Sequence, residues 1–174
     1  MPMPPIRSTP RMTLAPLAVE HSVGMFEMWS DRDVCRYSGE AHDQFGKLIH
    51  LPARTRLDSD KIIEFFLCRS RKGLGFRWAM LEKKTGRFLG AIGFNHLRPR
   101  TEVAYHLSPT AWGHGFAHEA LEEALRWAGE FNSRRVEAWI EPGNRRSIAL
   151  ITKANFLPTG ATNEGAKEYV RLLG

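Results

Sequence analysis

The clearest pattern in the sequence is a helical repeat of apolar residues that follows a glycine-containing turn. Apolar side chains recur at helical spacing at Ala117, Ala120, Leu121, Ala124, Ala128 and Phe131. This spacing places all of them on one side of an α-helix. We therefore predict an amphipathic helix that begins directly after the turn.

Other segments have the short apolar runs that are typical of strands. Strands are predicted at residues 12–17, 76–81, 88–94, 102–107 and 136–140, and again from residue 156 onward with 168–172. The polar turn at residues 84–87 joins the second and third of these as a β-hairpin. Further helices are predicted at residues 19–29, 58–67 and 144–154. Val23 and Phe26 are placed on the apolar side of the first, with Met25 and Trp29 as further candidates. Asp58 supplies N-cap chemistry for the second.

The order of these elements is antiparallel hairpins first, then strand, helix, strand, helix and strand. A mixed α/β (α+β) domain has this order, and we expect one domain over residues 11–174. The Pro-rich residues 1–10 are predicted to be loose. Residues 42–56 lack periodicity, and a connection of this length is often functional.

Composition narrows the class of protein. The chain has 174 residues, of which 43% are hydrophobic and 25% charged, as in a globular domain with a sizeable core. No apolar stretch is long enough to span a bilayer, and the N-terminus lacks signal-peptide features. Two isolated cysteines, Cys35 and Cys68, are read as reduced thiols. We therefore expect a cytoplasmic protein with no membrane partner.

The net charge of +6 favours an anionic partner without identifying it. Basic residues occur in scattered pairs, and no block of five or six like charges appears. Such a distribution does not favour a nucleic-acid partner.

The turn at residues 112–117 (WGHGFA) lies between a predicted strand and the periodic helix. Its small residues leave backbone N–H groups uncovered, and the first N–H groups of a helix carry partial positive charge. A strand, a glycine turn and a helix N-terminus together form a site for phosphate or pyrophosphate. From the glycines alone, a purely turn-shaping role is equally open.

The residues of a P-loop, of a Rossmann dinucleotide site and of a zinc site are all missing from the turn and its surroundings. A P-loop needs Gly-Lys-Ser/Thr, and a Rossmann fingerprint needs a glycine where His118 stands. A zinc site needs clustered ligands, whereas the seven histidines are dispersed.

Residues 105–109 (YHLSP) and 112–120 (WGHGFAHEA) together resemble the acetyl-CoA-binding motif of the GNAT superfamily of N-acetyltransferases. More narrowly, they are similar to the branch that contains the ribosomal-protein N-terminal acetyltransferases. The resemblance continues through residues 144–148 and 154–156, and residues 11–14 match the opening pattern. It implies a central mixed, mostly antiparallel sheet, splayed near residues 105–107 and flanked by helices on both faces.

The resemblance also implies which residues bind acetyl-CoA. Backbone groups of one strand would pair with the pantetheine arm, amides of the glycine turn would bind the pyrophosphate, and an Asn before the next helix would contact the cofactor. These residues are Tyr105, His106 and Leu107; Gly113, His114, Gly115, Phe116 and Ala117; and Asn144. Asn155 replaces a usual glycine, and asparagine tolerates the left-handed backbone of a helix end.

Two residues are candidates for catalysis. Glu102 resembles the proposed general base of the branch, although an outward-facing strand charge is equally open and His106 is a further candidate. Ser147 resembles the proposed proton donor to the thiolate, with a backbone-capping role as the alternative. The tyrosine that serves as the acid in many other family members is absent, because Ile151 stands there.

The resemblance therefore implies an N-acetyltransferase that moves an acetyl group from acetyl-CoA directly to a primary amine, with no covalent enzyme intermediate and no metal. A peptide, a protein N-terminus and a small amine remain open as acceptors, and so does a longer acyl donor. The alternative outside enzymes is a non-catalytic acyl-CoA-binding or nucleic-acid-binding module. Whether the protein is a homodimer is also left open.

Overall fold

The computed structural model describes residues 4–174. Its strands are β1 (Arg7–Ser8), β2 (Met12–Pro16), β3 (Ala41–His42), β4 (Leu48–Ile49), β5 (Phe76–Glu82), β6 (Phe88–His96), β7 (Thr101–Leu107), β8 (Arg135–Ile140), β9 (Leu157–Asn163) and β10 (Ala166–Leu172). Its α-helices are α1 (Ser22–Trp29), α2 (Arg32–Cys35), α3 (Arg56–Arg71), α4 (Phe116–Glu130) and α5 (Arg145–Lys153). Within this part of the chain, no helix is long and apolar enough to cross a membrane.

Eight strands form the central sheet in the order β1-β2-β5-β6-β7-β8-β10-β9, and β3 and β4 form a separate small hairpin. Every neighbouring pair in the large sheet is antiparallel except β7 and β8, which are parallel. Parallel neighbours need a crossover connection, which α4 supplies between these two strands. The predicted mixed, mostly antiparallel sheet is confirmed.

Helices cover both faces of the sheet because strand side chains alternate between the faces. On one face, Trp78 and Phe94 pack with Leu121 of α4 in the larger core cluster. On the other face, Ala79 packs with Met25 of α1 in a second cluster, which also contains residues of α3. The predicted flanking of the sheet by helices is therefore confirmed.

The first helix differs from its prediction in its start and in one residue of its apolar side, whereas the candidates Met25 and Trp29 are buried as expected. Residues Val19–His21 form a 3-10 turn, and the α-helix begins only at Ser22. The side chains of Met25, Met28 and Trp29 are buried, at the i, i+3 and i+4 positions of the true helix. Val23 is 53% exposed, so its assignment to the apolar side is wrong.

The third helix begins two residues before Asp58 because its N-cap is Thr55. The Thr55 hydroxyl accepts from the Asp58 backbone N–H, and the Asp58 carboxylate accepts from the Thr55 N–H at 3.0 Å. This reciprocal pair is a capping box with Asp58 at its third helical position. Asp58 is thus part of the cap, but not the cap residue itself.

The segment expected to be loose is held against the domain from residue 4 onward, and residues 1–3 lie outside the described part. Arg7 and Ser8 pair with β2, and the Arg7 guanidinium contacts carboxylates of Glu123 and Glu130 at 2.6 and 2.7 Å. The indole of Trp78 donates to the carbonyl of Pro5 at 2.8 Å. These partners are distant in sequence, which is why local composition could not show them.

Candidate active site

The cleft of the molecule opens where β7 and β8 separate. The two strands are paired only at Thr101 with Val136 and Glu102 with Glu137, although β7 stays paired with β6 as far as Leu107. Beyond Glu102, the edge of β7 that faces β8 therefore lacks a strand partner. The resulting cleft has a volume of about 1570 Å³ and is lined from both strands.

The glycine turn lies beside this cleft. Gly113 and Gly115 have φ angles of 76° and 79°, in the left-handed region, and Gly115 is the N-cap of α4. A Cβ at Gly113 would meet nothing within 4 Å, and one at Gly115 would meet only Arg11 Nη2 at 3.4 Å. The amides of the turn and of the first turn of α4 are therefore uncovered, and their arrangement suits an anion such as pyrophosphate.

Arg11 supports the turn from outside. Its guanidinium donates to the carbonyl of His114 at 2.8 Å and to the Glu119 carboxylate at 2.7 Å, and it lies 4.4 Å from the centre of the Phe116 ring. These contacts fix the carbonyl side of the turn, which leaves the amides free. We did not predict this role for Arg11, and its place in the opening motif was the only signal in the sequence.

Trp112 links the turn to α5. Its indole N–H donates to the Leu107 carbonyl at 3.0 Å, and the guanidinium of Arg146 lies 4.4 Å from the centre of one of its rings. This contact holds a positive charge at the cleft, where Arg145 and Arg146 are both lining residues. The start of α5 therefore adds positive charge near the uncovered amides.

Asn144, Ser147 and Tyr105 meet at the start of α5. The Asn144 side chain caps the helix by accepting from the Ser147 backbone N–H at 3.2 Å. The hydroxyl oxygens of Ser147 and Tyr105 are 2.5 Å apart. Burial raises the pKa of Tyr105 to about 12, so this phenol keeps its proton at neutral pH.

Glu102 faces the cleft from the opposite side of β7, with 18% of its side chain exposed. The Asn95 amide donates to Glu102 Oε1 at 2.6 Å, and His96 Nε2 lies 3.8 Å from Oε2. Asn95 is the extra residue of a β-bulge, because Phe94 and His96 pair with consecutive residues of β7. A bulge re-aims a side chain, and here it directs Asn95 at Glu102. The outward-facing alternative for Glu102 is not supported.

Two arginines support this bulge. The buried Arg77 donates to Asn95 Oδ1 and to the Phe76 carbonyl, and its guanidinium lies 4.0 Å from the centre of the Phe66 ring. Arg69 donates to the Asn95 carbonyl at 2.6 Å. Burial lowers the pKa of Arg77 to about 9. Neither Arg77 nor Asn95 was predicted, because bulges and cross-strand contacts have no local sequence signal.

His106 is placed differently from Glu102, although the alternation of β7 puts both on the same face. Its ring packs on Trp29, with 4.5 Å between ring centres. Burial and, to a smaller extent, the charge of Arg77 lower the pKa of His106 to about 3. A histidine with such a pKa is neutral at neutral pH and is a weak base.

The structure brings most of the predicted site residues to one cleft. Those that line it are Glu102, Tyr105, His106, Leu107, Gly113, Gly115, Ala117, Asn144 and Ser147. The side chain of His114 is exposed beside the cleft, and the ring of Phe116 is buried beneath the turn. These last two could therefore contact a ligand through their backbone amides. In the described residues, no group of three or more side chains could hold a metal ion.

Comparisons with known proteins agree with this arrangement. Residues 11–157 match the family description "Acetyltransferase (GNAT) domain". The Bacillus licheniformis protein named uncharacterized N-acetyltransferase p20 is 28% identical over 169 residues, which are 95% of this chain and 89% of that protein.

Solved structures share the fold at low sequence identity. The ribosomal L7/L12 alpha-N-protein acetyltransferase RimL, in complex with coenzyme A, has a TM-score of 0.77 at 14% identity, over 97% of this chain and 98% of that chain. The spermidine N-acetyltransferase from Vibrio cholerae, in complex with coenzyme A and spermine, has a TM-score of 0.73 at 15% identity, over 93% and 95% of the two chains. Since the family match spans most of the sequence, this chain belongs to the GNAT superfamily and is an acyl-CoA-dependent acetyltransferase.

Proposed function

We propose that this protein transfers an acetyl group from acetyl-CoA directly to the primary amine of a peptide, a protein N-terminus or a small molecule. The main support for this proposal is the gap between β7 and β8, because side chains from both faces of the sheet line it. Tyr105 and Glu102 lie on opposite faces of β7 and both line the cleft. A donor on one side and an acceptor on the other can therefore meet in the gap.

The donor side of the cleft consists of residues 112–118, the free edge of β7 and the start of α5. We assign the pyrophosphate to the amides of residues 113–117, with Arg145 and Arg146 nearby. The unpaired edge of Tyr105, His106 and Leu107 would hydrogen-bond the pantetheine arm as a neighbouring strand would. Asn144 fixes the start of α5 beside this path.

The acceptor side of the cleft consists of Arg77, Asn95, His96 and Glu102. Here the Glu102 carboxylate removes a proton from the ammonium form of the acceptor, directly or through a water molecule. The amine nitrogen then attacks the thioester carbonyl and a C–N bond forms. The nitrogen loses its second proton to solvent, and the C–S bond breaks with its electron pair moving to sulfur. Ser147 donates to the departing thiolate.

Direct transfer is supported by the state of the cysteines. Burial, with the nearby charge of Asp31, raises the pKa of Cys35 to about 11, and its Sγ contacts the Trp29 carbonyl at 3.2 Å. A thiol with this pKa is almost fully protonated at neutral pH and is a poor nucleophile. Neither Cys35 nor Cys68 lines the cleft.

A thermal-shift titration with acetyl-CoA tests the donor. We expect the unfolding temperature to rise with ligand concentration, because only the folded state binds. A shift with duplex DNA and none with acetyl-CoA would contradict the proposal.

The acceptor class is tested by release of free coenzyme A from acetyl-CoA across a panel of peptides with free N-termini, polyamines and other small amines. One neighbour is named for a ribosomal protein N-terminus and another for spermidine, so the panel must contain both kinds. We expect one class to give turnover above the rate of hydrolysis. No turnover with any amine would leave a binding module as the better description.

A further inference from the structure

The hydroxyl groups of Tyr105 and Ser147 lie in contact near the place where many family members have a catalytic tyrosine. Many family members carry a tyrosine acid in the helix after the cofactor-binding Asn, but here that position is Ile151, which is fully buried in the core. A phenol nevertheless reaches the same helix, because Tyr105 approaches it from β7. Its oxygen is 2.5 Å from Ser147 Oγ, across 42 positions of sequence.

The chemistry of the two hydroxyls indicates which oxygen donates. The ring packs against the larger core cluster, and within residues 4–174 the contact with Ser147 is the hydrogen bond that the phenol makes. Tyr105 is partly buried, and its phenol is the more acidic of the two hydroxyls, which makes it the better hydrogen-bond donor. The phenol also keeps its proton at neutral pH, as shown above. Donation from Tyr105 to Ser147 Oγ is therefore the favoured arrangement.

This arrangement leaves the hydrogen of Ser147 free. A serine hydroxyl has one hydrogen and two lone pairs, so an oxygen that accepts from Tyr105 must direct its own hydrogen elsewhere. The backbone of Ser147 is held in turn by the side chain of Asn144. With its oxygen and its backbone both held, the Ser147 hydroxyl can present its hydrogen to the cleft that it lines.

We propose that Tyr105 is a positioning residue, which donates to Ser147 Oγ and thereby directs the Ser147 hydrogen at the sulfur of the departing thiolate. This inference rests on the proposed function. As the C–S bond breaks, the electron pair moves to sulfur and the Ser147 hydroxyl donates to it. The acceptor nitrogen loses two protons in all. Glu102 takes the first and passes it to solvent, and the second leaves the nitrogen after the attack and neutralises the thiolate through solvent. Tyr105 keeps its own proton throughout.

Steady-state kinetics of four variants test the proposal with an acceptor that the panel identifies. We expect Tyr105→Phe to lower kcat by about ten-fold, the effect of one hydrogen bond to a developing charge, with the KM for acetyl-CoA changed less than about two-fold. Ser147→Ala should lower kcat by about 100-fold. Because Tyr105 acts only through Ser147, the double variant should resemble Ser147→Ala. The matched control is Tyr169→Phe, which removes a hydroxyl from the same core away from the cleft and should leave kcat unchanged.

Independent effects would overturn the proposal, since the double variant would then lose about 1,000-fold. A wild-type kcat in Tyr105→Phe would overturn it as well, provided that the wild-type enzyme is active. An inactive wild-type enzyme would instead contradict the proposed function itself. Should Tyr105→Phe prove unstable, Ser147→Thr must retain most of the kcat that Ser147→Ala loses, and equal rates for these two would contradict a role for the hydroxyl.

Discussion

The donor side and the acceptor side of the cleft are built in different ways. On the donor side, the proposed ligands are mostly backbone amides of one continuous stretch, residues 113–117, at the start of α4. On the acceptor side, Asn95 of β6 holds Glu102, and Arg77 of β5 and Arg69 of α3 hold Asn95 in turn, so that the contacts form only in the folded sheet. A site of backbone groups depends on local conformation, whereas a site of side chains depends on strand register. The two sides should therefore respond differently to substitution.

The largest effect is expected from Gly115→Val on the donor side. Valine is strained at a φ of 79° and would cover the amides, so we expect the affinity for acetyl-CoA to fall by roughly 100-fold. Isothermal titration calorimetry measures this. Gly86→Val is the control, because Gly86 has a φ of 72° with open space around it, in the turn between β5 and β6. Equal affinities for the two variants would make the glycine turn structural only.

On the acceptor side, Glu102→Gln should lower kcat by about 100-fold, the usual contribution of a general base. The affinity for acetyl-CoA should stay within about two-fold, because the donor side is untouched. The measurement is kcat across pH together with calorimetry. Glu64→Gln, which neutralises an exposed carboxylate on α3 outside the cleft, serves as the control. An unchanged pH profile in Glu102→Gln would remove Glu102 as the base.

A smaller effect is expected when the support of the donor side is removed. Arg11→Ala deletes the hydrogen bond to the His114 carbonyl, so the turn should loosen and the affinity for acetyl-CoA should fall by about five-fold. Arg7→Ala is the matched control, because Arg7 binds the C-terminal half of the same helix, at Glu123 and Glu130. It should lower the unfolding temperature without changing the affinity. The same affinity loss in both variants would show a general destabilisation instead.

The smallest expected effect is on the pH dependence of the free energy of unfolding, and it comes from His106. Its folded-state pKa of about 3 lies below the ordinary value of 6.5, so the unfolded chain binds a proton between these values that the folded chain does not. The free energy of unfolding should therefore fall as the pH is lowered from about 6.5 towards 3. Chemical denaturation should give a shallower pH dependence for His106→Gln than for the wild type. His114→Gln, at an exposed position, should keep the wild-type dependence, and an equal slope in all three proteins would contradict the lowered pKa of His106.

The same contrast explains which expectations from the sequence were confirmed. The helix after the glycine turn and the strands at residues 76–81, 88–94 and 102–107 were predicted to within about two residues at each end. The helix has a strong local period, and the strands are short apolar runs. Asn155 has the left-handed backbone expected of it, with a φ of 59°. Errors arose where a distant partner decides the outcome, as for Val23 of α1 and for the segment that Arg7 holds against α4.

The sequence by itself determined the fold class, the glycine turn and the helix start that suits an anion, because these follow from local periodicity and backbone freedom. Only the tertiary structure decided that β7 and β8 separate after Glu102, that a bulge aims Asn95 at that carboxylate, and that Tyr105 reaches Ser147. The physical reason is that strand register and side-chain contacts are set by packing between segments far apart in sequence. A local sequence pattern does not show which distant segments will come into contact.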